Sequence, residues 1–114
     1  MGEPKIIVRR QVAETDTTAN GNTVLIAAQG ANTSIRINHI YAILLTNTAN
    51  QIISFNEGGT GEFFKRPFAS IGSLINVGIN PPWIVETNTA FQINVSLTSS
   101  AVHASVLYDV EDRS

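Results

Sequence analysis

The sequence predicts an all-β protein: an antiparallel β-sandwich or jelly roll, built as a single domain over residues 1–114. Three observations lead there. Ile, Val and Thr are abundant; these residues lose side-chain freedom in a helix but pack well on a pleated sheet. No window carries the 3.6-residue apolar period of a helix. Gly and Asn punctuate the chain about every 8–12 residues, the rhythm of a sandwich or barrel. An all-antiparallel chain of this length closes most easily as two packed sheets.

Nine strands are predicted. The first covers residues 5–14, followed by the polar loop ETDTTANGN, in which Asn20-Gly21 is a tight-turn signal. The second covers 23–28, and residues 29–32 turn the chain into a long third strand, 33–46. After a turn at 48–50 comes 51–56, then the glycine-rich loop NEGGTGE. The segment 63–68 contains Pro67, which marks it as an edge strand. Strands at 71–79 and 83–86 follow, separated by Pro81-Pro82, which is expected to break the ladder. Thr87-Asn88-Thr89 turns the chain into the two clearest strands. In AFQINVSLT, Phe91, Ile93, Val95 and Leu97 share a face; in AVHASVLYDV, Val102, Ala104, Val106, Tyr108 and Val110 do. Both show the period of two of a half-buried strand. Thr98-Ser99-Ser100 reads as the hairpin turn between them, and residues 1–4 and 111–114 as fraying ends.

One stretch departs from the pattern. Within TSIRINHIYAILLTN the alternation stops at His39, and HIYAILL stays apolar on both faces. A sandwich buries one face of each strand. Ile40, Ala42 and Leu44 point opposite to Tyr41, Ile43 and Leu45, so a second apolar set needs a cover. A symmetric sister chain is the economical one, which predicts a homo-oligomer with Ile40, Tyr41, Ile43 and Leu45 at or near the interface.

Composition narrows the function classes. Hydrophobic residues make up 43% and charged residues 14%, against roughly 25% charged in an average soluble domain. The polar surface is therefore mostly neutral, which suits packing against other proteins or facing glycans. The net charge of −2 argues against nucleic-acid binding, which wants a basic footprint. With no Cys there is no disulfide framework, thiolate metal site or thiol nucleophile. MGEPKIIVRR lacks a signal-peptide pattern, and no apolar run reaches membrane-spanning length.

No catalytic, cofactor or metal set assembles from the sequence, so the reading is of a non-enzyme. His39 and His103 lie on different strands without a second ligand at metal spacing; His39 is read as a hydrogen-bonded residue at a sheet or subunit boundary. Glu57 and Glu62 flank the glycine loop, where a glycosidase-like pair is conceivable, but solvated loop charges are preferred. Gly58, Gly59 and Gly61 lack a P-loop context. FFKRPF interleaves Phe63, Phe64 and Phe68 with Lys65 and Arg66; it is read as a sheet edge or protein contact rather than a base-stacking surface. Trp83 either caps the core or anchors an interface. Arg9, Arg10 and Arg36 either pair with carboxylates of an adjacent protomer or snorkel at the surface.

The pattern GNTVLIAAQGANTSIRINHIYAIL, with the NEGGTG loop, NPPWIVETNTAFQINVSL and a final strand ending LYDV, resembles the small β-sandwich structural proteins of tailed-phage virions. The resemblance covers most of the chain from Gly21 onward and rests on strand and turn patterning. It implies a capsid decoration (cement) protein in the virion, made in the host cytoplasm. Such a protein is often trimeric and would contact the major capsid protein or other virion proteins, without nucleic acid or membrane. The alternative is a receptor- or glycan-binding module of a tail or fibre, using Trp83 and residues 63–68.

Overall fold

The computed structural model describes residues 5–18, 21–46, 51–58, 61–68, 70–96 and 101–113, with residues 61–63 described by backbone only. The described residues form eight strands and no helix: β1 (Lys5–Thr17), β2 (Gly21–Ile26), β3 (Thr33–Leu44), β4 (Gln51–Glu57), β5 (Gly61–Phe68), β6 (Leu74–Ile84), β7 (Phe91–Val95) and β8 (Val102–Asp112). They pair antiparallel in two four-stranded sheets, ordered β1-β8-β3-β6 and β2-β7-β4-β5. Every connection except β4–β5 crosses from one sheet to the other, which is the jelly-roll topology.

The alternating pattern explains why the sheets face each other. Phe91, Ile93 and Val95 of β7, and Val102, Ala104 and Val106 of β8, are buried, while Gln92, Asn94, His103 and Ser105 between them are half-buried on the outer faces. Ile53 and Phe55 of β4 join them, and the Phe55 and Phe91 rings stack with centroids 5.8 Å apart and planes 13° from parallel. Such offset aromatic pairs add about 0.5–1.5 kcal/mol beyond the area they bury.

The break in alternation within β3 is a β-bulge. Ile37 pairs with Tyr108 and His39 with Leu107, so β3 advances two residues while β8 advances one. Ile35 and Ile37 point into the core, Asn38 and His39 both stay half-buried outside it, and Ile40, Ala42 and Leu44 resume the inward set at 0% exposure. Tyr41 and Ile43 are thereby left on the outer face, half-buried.

Several predicted elements need correction. The strands expected at 71–79 and 83–86 are one strand, β6, despite Pro81-Pro82. Its partner on β3 shifts from Gly78 (opposite His39) to Trp83 (opposite Ile37), so residues 79–82 bow out of the ladder and the missing proline N–H groups are not called upon. Being an edge strand, β6 tolerates this. β1 extends through part of the expected polar loop to Thr17, because β8 continues opposite it to Val102. Glu111 and Asp112, expected to fray, are in β8, and Glu111 is only 3% exposed. The predicted turn at 29–32 forms: Thr33 donates its N–H to the Gly30 carbonyl at 3.2 Å, with Asn32 at φ 65°. The turns predicted at 48–50 and 98–100, and the end at 1–4, lie outside the described residues.

Candidate functional site

The outer face of the first sheet carries part of the set singled out for assembly: Tyr41 and Ile43, with Leu45 just beyond β3. Cross-strand register sets Asp16, His103, Ile43 and Leu74 in one row, and Glu14, Ser105, Tyr41 and Asn76 in the next. A third row holds Val12, Leu107, His39 and Gly78. Leu45, just beyond β3, is 45% exposed; Leu74 is 44% exposed and Val12 61%. The face is therefore apolar at its Ile43–Leu74–Leu45 corner and mixed elsewhere. Ile40, counted among the interface candidates from sequence, is at 0% exposure and belongs to the core. The cause is the bulge, which fixes which half of HIYAILL turns inward.

Both histidines stand on this face in polar pairs. His39 Nε2 lies 2.6 Å from Asn76 Oδ1, and His103 Nδ1 lies 2.5 Å from Asp16 Oδ1. His39 is thus hydrogen-bonded, but at a bulge on the inner strand β3 and not at a sheet boundary. Among the described residues, no three His, Asp or Glu side chains come close enough to hold a metal ion.

The other candidates sit apart from this face. β5 and β6 are edge strands of their sheets. Phe64 packs partly against the core, and the exposed Arg66 guanidinium lies over its ring, 5.4 Å from the centroid. Phe63's side chain lies outside the described atoms, as does Glu62's. Trp83 is 39% exposed and donates its indole N–H to Glu57 Oε2 at 3.1 Å. That bond ties β6 of one sheet to β4 of the other, and it occupies an oxygen of the carboxylate that the glycine loop offered for chemistry.

A feature missed in the sequence is a row of amides on the outer face of the second sheet. Asn22 Oδ1 accepts from both Asn56 Nδ2 and Asn94 Nδ2, each at 2.9 Å. Ser54 Oγ donates to Asn56 Oδ1 at 3.3 Å. Asn56 is 4% exposed and Ser54 5%, although both point away from the core. The signal was present as Asn or Ser at outward positions of three strands, and only the register made it one network.

No family model and no curated protein matches the chain. Among solved structures it is similar to the insecticidal delta-endotoxin Cry8Ea1 of Bacillus thuringiensis, at 14% identity and a TM-score of 0.39, with 86% of this chain and 19% of that one covered. It is also similar to a chain of infectious bursal disease virus, Gx strain, at 14% identity and a TM-score of 0.33, covering 96% and 32%. The chain thus spans less than a third of the length of either.

Proposed function

We propose that the chain is a non-enzymatic structural component of a phage virion: a capsid decoration protein that self-associates, as a trimer, and holds neighbouring capsid subunits. The observation that carries this is the corner formed by Ile43, Leu45 and Leu74, apolar and accessible on the outer face of a sheet whose inner face already fills the core. Covering it stabilises an assembly by about 1–2 kcal/mol for each such side chain, since part of each is already shielded. The low charge content supports a surface meant for protein contact. The jelly roll recurs in viral capsid and lectin domains, a support of fold-level analogy only. Cryo-electron microscopy of particles made from the genome that encodes the chain tests it. Density for the sandwich on the capsid is expected, and its absence from every particle refutes the proposal.

The amide row on the second sheet favours a second reading, a receptor- or glycan-binding module of a tail or fibre. Asn22 and Asn94 hold planar amides in fixed orientation on that face, a match for sugar hydroxyls. A glycan array separates the readings: dose-dependent binding supports the module, and a blank array supports the decoration protein.

A further inference from the structure

The outer face of the first sheet carries a pocket that the assembly corner does not use. It has a volume of about 290 Å³ and is lined by Arg9, Arg10, Asn38, Leu107 and Asp109. Two irregularities build it. β1 shifts register between Ile6 and Val8 and again between Val8 and Gln11, so Arg9 and Arg10 leave the regular ladder opposite β8. The β3 bulge brings Asn38 to the same face. Bulges of this kind re-aim side chains and concentrate at functional places.

Arg10 has φ 52°, a left-handed conformation that costs a non-glycine residue energy and persists only where the surroundings enforce it. Asp109 enforces it. Its Oδ1 accepts the Arg10 backbone N–H at 2.7 Å, and its Oδ2 accepts Asn38 Nδ2 at 3.1 Å. The one carboxylate of the pocket is thus engaged by two neutral donors. Among the described residues neither Arg9 nor Arg10 has a carboxylate partner, and both are exposed. Arg36, the β3 neighbour of Asp109, has a buried Nε without a hydrogen-bond partner among them. Two arginines, Arg9 and Arg10, beside one occupied carboxylate make a locally positive hollow in a chain of net charge −2.

We propose that this hollow is a carboxylate-binding subsite that seats an aspartate or glutamate side chain of a partner protein. The planar guanidiniums of Arg9 and Arg10 offer forked donors matched to a carboxylate, and Leu107 provides an apolar floor for the methylene stem. That the carboxylate comes from a protein rests on the assembly reading above; the pocket itself does not.

The test is a titration of the isotopically labelled chain with a short peptide, blocked at both ends, whose only charge is a single glutamate, at low ionic strength, followed by amide NMR shifts. Its glutamine twin and sodium sulfate serve as comparisons. Shifts at Arg9, Arg10, Asn38, Leu107 and Asp109 are expected with the glutamate peptide alone, with a dissociation constant on the order of 1–10 mM. Arg9→Gln and Arg10→Gly should each weaken it about tenfold. Arg10→Gly keeps the fold, because glycine accepts the left-handed conformation, and its spectrum reports folding directly. Equal shifts with the glutamine twin, equal shifts with sulfate, or an unchanged response in both variants overturn the assignment. Because the titration reads this pocket's amides, its failure leaves the assembly corner to be judged separately by sedimentation.

Discussion

Asp109 holds the Arg10 backbone N–H at 2.7 Å and thereby fixes a non-glycine residue at φ 52° in the middle of an edge strand. The contact joins β1 to β8 where their regular pairing lapses. Its removal frees the bulge, so Asp109→Ala is expected to destabilise the fold by about 1.5–3 kcal/mol, the range for a hydrogen bond to a charged group. Arg10→Gly acts in the opposite direction and is expected to stabilise by up to about 1 kcal/mol by relieving the left-handed strain. Urea unfolding of the two variants checks both signs; a destabilised Arg10→Gly shows that the bulge needs the side chain.

The amide network makes a separate prediction. Asn22 Oδ1 is the shared acceptor of Asn56 and Asn94. Asn22→Ala strands the amide of Asn56, which is 4% exposed, and is expected to cost about 1–3 kcal/mol. Asn22→Asp keeps an acceptor for both donors and is expected to cost less. Thermal or urea denaturation ranks the pair, and equal losses show that the network contributes through packing alone.

Truncation should separate the inward set of β3 from the outward residue just beyond its end. Ile40 is fully buried, and Ile40→Ala is expected to cost about 2–5 kcal/mol. Leu45, nearly half exposed, is expected to cost about 1 kcal/mol or less in the monomer. Comparable losses at the two positions contradict the assignment of faces.

The indole of Trp83 reports on the joint between the sheets. Trp83→Phe removes the donor to Glu57 Oε2 and is expected to destabilise by about 0.5–1.5 kcal/mol. Glu57→Gln retains an acceptor and should be nearly neutral. Chemical denaturation followed by circular dichroism, which does not depend on tryptophan fluorescence, gives the comparison.

The sequence made the sandwich legible because β7 and β8 alternate without interruption, and every inward position from Phe91 to Val106 that the structure describes is buried. It also exposed the anomaly at His39, but not its cause. A bulge depends on how two distant strands keep step, and Asn38–His39 carry no local mark of Leu107 opposite them. For the same reason the prolines of β6 read as a break. Whether a missing N–H matters depends on the edge position, which only the strand order provides. Tyr41, Ile43 and Leu45 were legible as a doubly apolar stretch. The Arg9–Arg10 pocket was not, because the left-handed Arg10 is imposed by Asp109, 99 residues away in sequence.

The outward corner of β3 carries the functional proposal, and sedimentation velocity of the purified chain at micromolar concentration tests it most directly. The account predicts a closed oligomer of trimer size that dissociates to folded monomer in Ile43→Lys and Leu74→Lys. A wild-type chain that sediments only as a monomer, or an oligomer unaffected by both lysines, contradicts it.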